Sequence, residues 1–408
     1  MAINRVSLEE LERVLPARQV SKLAVKHGVD ARNQYRLPGT TVFTCLLDSI
    51  MNHGVTTQRL LEEIHFQRTG THADHSSFGQ RLTSTSAAFF EAIYQDVHTR
   101  LAPQASTAEQ RALRVRRADA TVVTLSSKLL LWGLKSGTRK GKGTRRQVKT
   151  VLSLEDDGLP QLLRICENQS ENSDSVAMGD AMLKHARPGD LWVFDKGCHS
   201  RLRLLKLHEK QTFWLTPHGT QALRERETIW QSPEATPPTA APEEGDLTFV
   251  LQRVERAYFG NSNETQGEWG SMPLLLLHGL RWDTRKSVWK PMVLMTNLPL
   301  RADGEGAGPF TWAEVAEVYR QRWEIEVLFK FLKQYLGYAH LTSRSENGIR
   351  IMVYMSLIAA LLLIWYKRLT GIDRGWRSVR AWFAHDLRGW VEKALRTAFG
   401  VPEPAPQT

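Results

Sequence analysis

Tyr319, Arg322, Glu326, Lys330 and Lys333 follow one another at spacings of three, four, four and three residues. On a helix turning about 100° per residue, with Tyr319 at 0°, Arg322 falls at about 300°, Glu326 at about 340°, Lys330 at about 20° and Lys333 at about 320°. All five share a stripe about 80° wide, while Glu324, at about 140°, faces elsewhere. Ile325, Phe329 and Leu332 form a separate apolar stripe that can face a core. A carboxylate placed for a divalent metal, beside cations and an aromatic placed for phosphates, suits phosphodiester chemistry. Ordinary surface helices also carry pairs such as Arg322–Glu326 and Glu326–Lys330, each worth about 0.2–0.5 kcal/mol. The rest of the chain has to decide between the two readings.

Two further acids stand where a sheet would present them. Asp119 lies in Ala118–Leu125, a Val- and Thr-rich run of strand character. Asp195 closes the short apolar run Leu191-Trp-Val-Phe194. In open α/β sheets, sites collect at strand ends. Strands are expected at 118–125, 128–133 and 147–154, with a turn at Asp156-Asp-Gly158. A helix at 173–186, a strand at 191–194, a helix at 200–210 and a strand at 211–215 follow. That order is the order of a ribonuclease H-like core, in which the central strand carries one acid, a neighbouring strand ends at a second, and a later helix brings the third. Asp174, Asp180, Asp190 and Glu324 are expected on exposed helix faces or in a turn.

The 408 residues allow one large domain with additions or two to three domains. A net charge of +11 and a pI near 9.6 point to a polyanionic partner, nucleic acid first. Cys45, Cys166 and Cys198 are too few and too scattered for a disulfide framework or a zinc pattern. The start has no signal-peptide core, and the apolar run Ile351–Tyr366 is short of the roughly 20 residues a membrane span needs, so a buried helix is expected. No membrane partner follows, and a reducing cytoplasm fits.

The organisation read from these signals is α/β. A helical DNA-binding domain is expected at 1–105, with a capping box at Ser7–Glu10, a helix opened by Pro38, and a candidate recognition helix beginning near Ser76–Arg81. The ribonuclease H-like catalytic core spans 106–218 and 311–345 and is interrupted by a β-rich insertion at 219–310. Strands are expected there at 247–254, 274–280 and 288–295. A second capping box, Thr311–Glu314, starts the helix carrying Tyr319 and Glu326. Helices at 346–400 complete the core or form a dimer surface, and the Pro-rich tail 401–408 is expected to be disordered. The basic stretch 135–149, with Arg139, Lys140, Lys142, Arg145 and Arg146, is expected to contact DNA backbone.

Tyr319-x2-Arg322-x3-Glu326-x6-Lys333, with Asp119 in Ala-Asp-Ala-Thr and Asp195 in Asp-Lys-Gly, resembles the signature of the insertion-sequence-4 class of DDE transposases. The similarity covers roughly 110–340, including the long β-rich interval before Glu326. Cys198-His199 departs from it, an aromatic being more usual there. The resemblance implies a bacterial, nucleoid-associated enzyme that binds terminal inverted repeats and cuts the element ends by metal-dependent hydrolysis and hairpin formation. It then joins the 3′ ends to target DNA, working as a homodimer on double-stranded DNA. It implies Asp119, Asp195 and Glu326 as catalytic ligands of two divalent ions, Mg²⁺ with Mn²⁺ as substitute. It further implies Tyr319, Arg322 and Lys333, with Lys330 as a weaker candidate, as DNA-phosphate contacts. Hairpin formation needs an unstacked base, for which Trp323, Trp282 and above all Trp289 are the stacking candidates. The alternatives are a ribonuclease H-fold nuclease without strand transfer, and a non-catalytic DNA-binding derivative. The Tyr/Arg/Lys clamp argues against the first, and the intact acids argue against the second.

Overall fold

Ser7 and Thr311 each accept a hydrogen bond from the amide three residues on, and Glu10 and Glu314 reach back to the cap amides, so both expected capping boxes form. The structure, a computed structural model, describes residues 5–30, 37–102, 113–125, 132–136, 145–198, 200–219, 223–232, 241, 249–260, 272–301, 310–341, 343 and 345–398. Arg139, Lys140, Lys142 and the tail 401–408 lie outside these residues, as does most of the strand expected at 128–133. The chain divides into two compact units, residues 1–104, 122–148 and 328–408 in one, and 105–121 and 149–327 in the other.

The first unit is mainly helical. It contains α1 (Leu8–Val14), α2 (Ala17–Lys26), α3 (Gly39–His53), α4 (Gln58–Thr69), α5 (His75–Ser84), α6 (Ala87–Leu101), α11 (Glu346–Thr370) and α12 (Trp376–Ala398). Pro38 precedes the first turn of α3, where a missing backbone N–H costs nothing. The apolar run forms the middle of α11, and its most hydrophobic window is 89% buried inside the protein. Length and composition alone would let α11 cross a membrane, but packing against α3, α5 and α6 consumes its apolar surface. Trp390 on α12 meets Phe43 edge-on and donates from Nε1 to Leu15 O at 2.6 Å. The expected recognition helix exists as α5, but Arg81 is turned inward and donates to Val29 O at 3.0 Å. A guanidinium buried in this way ties α5 to the turn after α2 and is turned away from any DNA.

The second unit is built on one mixed sheet. Its strands come from β1 (Arg114–Leu125), β3 (Arg145–Glu155), β4 (Pro160–Cys166), β5 (Asp190–Val193), β6 (Phe213–Pro217), β7 (Leu223–Gln231), β8 (Phe249–Phe259), β9 (Pro273–Asp283) and β10 (Val288–Thr296). A short β2 (Leu134–Ser136) pairs with Arg145–Gln147 of β3 in the first unit. The order β4-β3-β1-β5-β6 has β1 at its centre, β3 and β4 antiparallel, and β1, β5 and β6 parallel. Helices α7 (Asp174–His185) and α8 (Arg201–Glu209) make the crossovers that parallel strands require. This is the expected ribonuclease H-like order with one correction. The third strand of the core is β4, which the sequence reading missed, while β2 is an added ribbon.

The β-rich segment does not stand apart. β10 pairs antiparallel with β6, and β9, β8 and β7 extend the same sheet outward. Helix α9 (Trp312–Arg320) lies on this sheet, burying Trp312, Val315 and Val318 with Leu191, Val193, Leu215 and Leu277. Each such side chain, fully buried, contributes about 1.5–3 kcal/mol. This packing fixes α9 and so the position of Tyr319 at its end. A short parallel pair, β11 (Leu300–Arg301) and β12 (Phe310–Thr311), precedes α9.

Candidate active site

Asp119 and Asp195 are brought side by side by strand register. β1 and β5 pair in parallel as far as Arg117 and Val193, and each acid lies two residues beyond its partner in that pair. Adjacent strands run about 4.8 Å apart, so the two carboxylates share the carboxyl end of the sheet. Asp195 is exposed, ahead of the short 3₁₀ turn Lys196–Cys198. Asp119 is more enclosed, with 24% of its side chain accessible. Its carboxyl is pushed up to about 6, first by burial and further by the negative charges of Glu326 and Asp195, against the pull of the Ala120 amide and Arg322. The three acids therefore feel one another.

Glu326 arrives on α10 (Trp323–Tyr335), and here one expectation needs correction. Tyr319 and Glu326 do not share one straight helix. The helix breaks at Gln321-Arg322, where Arg322, Glu324 and Ile325 donate to the carbonyls of Tyr319, Gln321 and Arg322, three residues back. Such 3₁₀ bonding tightens the turn and shifts every later residue off the angular position a continuous helix would give it. Arg322 sits in the break. Its Nη2 donates to Glu326 Oε1 at 2.7 Å, its Nη1 stands 3.8 Å from Asp119 Oδ2, and its guanidinium carbon lies 5.9 Å from the centre of the Tyr319 ring. Burial opposes the charge on Arg322, but Tyr319, Glu326 and Asp195 hold it firmly protonated. Burial pushes the Tyr319 hydroxyl up to about 12, the negative charge of Asp195 adding to the effect and Arg322 opposing it, so the phenol remains a donor.

A cavity of about 590 Å³ opens beside this group. Glu326, Arg322, Tyr319 and Trp323 form one wall, and Trp282, Arg281 and Phe249 form another. Trp282, not Trp289, lines it. Trp289 is the cross-strand partner of Trp282, its ring edge-on at 5.4 Å. Lys330 is exposed and Lys333 half-buried further along α10, the latter held below the usual lysine range by burial. Arg146 is half-buried and donates to Gly133 O at 2.9 Å; Arg145 lies on the same strand.

Several charged groups have roles the sequence reading did not foresee. Lys149, at the end of the basic stretch, is buried and donates to Asn172 O at 2.8 Å beside Asp174 at 2.5 Å, so it cannot face DNA. Asp190, expected in an exposed turn, is buried on β5 between Arg114 and Arg116. Arg116 in turn lies over the Trp192 ring at 4.3 Å. Cys198, the departure from the family pattern, is buried close to Asp119 and Asp195, and burial together with those charges keeps its thiol protonated.

The donor chemistry of Asp119, Asp195 and Glu326 fits a hard divalent cation, since all three offer carboxylate oxygen. Their spacing as found does not complete a site. Among the described residues, no three Asp, Glu, His or Cys stand close enough to hold a metal ion. The Arg322 cation instead neutralises Glu326.

Residues 111–362 match the model of the transposase DDE domain, and the chain belongs to that family. A putative transposase for insertion sequence element IS4SA from Synechocystis is 42% identical over 71 residues, 17% of this chain and 20% of that protein. A probable transposase for insertion sequence element IS5377 from Geobacillus stearothermophilus is 35% identical over 78 residues, 18% of this chain and 21% of that protein. The match thus spans about a fifth of the length of these two relatives. The putative transposase y4zB of Sinorhizobium fredii is 25% identical over 300 residues, 72% of this chain and 73% of that protein. Among solved structures, the cryo-EM piggyBac transposase synaptic complex with hairpin DNA aligns with a TM-score of 0.45 at 8% identity, covering 97% of this chain and 85% of that one.

Proposed function

We propose that this protein is a cut-and-paste DNA transposase of the insertion-sequence-4 class. It binds terminal inverted repeats, cleaves the element ends by hydrolysis and hairpin formation, and joins the 3′ ends to target DNA. One observation carries the reading: Asp119 and Asp195 follow the paired ends of β1 and β5, and Arg322 links Asp119 to Glu326, beside a cavity walled in part by Arg322, Tyr319 and two tryptophans.

Asp119, Asp195 and Glu326 would hold divalent metal, Mg²⁺ or Mn²⁺. Bound there, the metal supplies activation of the attacking oxygen and stabilisation of the leaving one. The remaining work falls to the protein. Arg322 releases Glu326 and grips a backbone phosphate through its two-pronged guanidinium, a geometry lysine cannot copy. Tyr319, a donor throughout the working pH range, adds a hydrogen bond to the same backbone. Lys330 and Lys333 supply point charges along the strand. The cavity takes the base that must leave the stack when the end folds into a hairpin, and Trp282 and Trp323 offer it ring faces. Stacking recovers about 1–3 kcal/mol per base, comparable to the few kcal/mol that extrusion costs. The helical region 1–105 binds the repeat, Arg139, Lys140, Lys142, Arg145 and Arg146 follow DNA backbone, and two copies act on two ends in the bacterial cytoplasm.

The test is incubation with the DNA flanking its own reading frame and Mg²⁺, followed by a denaturing gel. Hairpin-ended element is expected. Nicks without hairpins would favour the simple nuclease, and binding without any cut would favour a non-catalytic derivative.

A further inference from the structure

Arg117 and Asp119 lie two residues apart on β1, so their side chains leave the same face of the strand. Each meets the break between α9 and α10. Arg117 Nη2 donates to Gln321 Oε1 at 2.6 Å, and Asp119 faces Arg322, the next residue. Arg117 is almost wholly enclosed, with 6% of its side chain accessible. Its Nη1 reaches Glu155 O at 3.5 Å, Nη2 reaches Asp156 Oδ1 at 3.5 Å, and Nε stands 3.8 Å from Glu324 Oε2. Gln321 is the last residue still bonded in the α9 pattern, through Glu317 O, before the turn tightens.

We propose that Arg117 is a positioning residue, a clasp on Gln321 that holds the break open and so sets the rotation of Glu326 relative to Asp119. A helix interrupted by 3₁₀ bonds has lost i→i−4 bonds that a continuous helix would recover. An enclosed guanidinium tied at once to β1, to the turn after β3 and to Gln321 supplies the external bond that keeps the interruption in place. Were the break to relax, α10 would rotate about its axis and carry Glu326 away from the two aspartates. This inference rests on the reading of the three acids as metal ligands, and its test separates the two.

The probe is Mn²⁺ alone, titrated into the DNA-free full chain and followed by the electron paramagnetic resonance of the free ion. Gln321→Met keeps size and helix preference and removes the acceptor; Arg117→Met removes the donor, and Arg117→Lys keeps the charge without the fork. Supporting shells of metal sites are typically worth about 10- to 100-fold in affinity. Gln321→Met and Arg117→Met are expected to weaken Mn²⁺ by about that factor, Arg117→Lys by less, and the double Met variant by no more than the worse single change. Amide exchange at Arg322, Glu324 and Ile325 is expected to change in Gln321→Met without a matching fall in melting temperature. Mn²⁺ affinities within twofold of wild type in both Met variants would overturn the clasp. Should Arg117→Met fail to fold, Gln321→Met decides. If the wild-type chain takes no Mn²⁺, the functional reading fails, and the exchange experiment still decides: unchanged protection in Gln321→Met overturns the proposal.

Discussion

Arg322 donates to Glu326 at 2.7 Å, placing a cation on the carboxylate that the metal would need. A carboxylate oxygen engaged by a guanidinium is a poor ligand, and the two positive charges repel. Removing the guanidinium therefore has opposite effects on two measurements. Arg322→Ala is expected to raise Mn²⁺ affinity of the DNA-free chain several-fold, read by the resonance of the free ion, while cutting cleavage of end DNA by about 100-fold, the scale of losing one positioned transition-state donor. Unchanged or weaker Mn²⁺ binding would show that Arg322 does not compete at Glu326.

Glu326→Ala is expected to abolish cleavage of end DNA in Mg²⁺ while leaving end binding within a few-fold of wild type in a gel-shift assay. Residual nicking by this variant would reject Glu326 as the third acid. Glu324→Ala, by contrast, loses a 3.8 Å contact with Arg117 Nε and is expected to cleave normally.

On the proposed function, Trp282 in the cavity wall is the stacking candidate, and Trp289 packs edge-on against it. With stacking worth about 1–3 kcal/mol, Trp282→Ala is expected to slow hairpin formation by roughly 5- to 150-fold with first nicking little changed. Trp289→Ala is expected to show the same step selectivity with a smaller loss. Equal loss of both steps in Trp282→Ala would reject a base-holding role.

Asp119 gives a pH dependence whose sign is fixed. Its folded carboxyl titrates at about 6, above its ordinary 3.8, so the folded state favours the proton. The stability this lends is present below the ordinary value and is lost as pH rises towards and through 6. Without metal, Asp119→Asn is expected to be more stable than wild type at neutral pH, by up to about 3 kcal/mol, and the difference should vanish near pH 4. Thermal melts in chelator across that range would show it. A difference independent of pH would mean that the acid is not held in a disfavoured charged state.

The places of Asp119, Asp195 and Glu326 in the fold were legible because local pattern and topology agree there: a strand, a strand end and an amphipathic helix. What escaped the sequence was long-range. A continuous helix satisfies the Tyr319–Lys333 periodicity, and the bond that meets Gln321 at the break comes from Arg117, about two hundred positions earlier. β4 was missed because Pro160–Cys166 is short and half-covered, and its identity as a strand depends on pairing with β3. Lys149 and Arg81 read as surface cations because charge gives no sign of burial until its partners are known.

The outermost strand, β7, ends the sheet with Arg224, Glu225, Arg226 and Glu227 in succession, its register slips twice against β8, and Glu225 takes a positive φ of 52°. A flat apolar border would invite another chain to add a strand. This border is kinked and carries both signs of charge, so it resists templated growth into fibrils. A sheet this wide thus closes one of its borders to further strands.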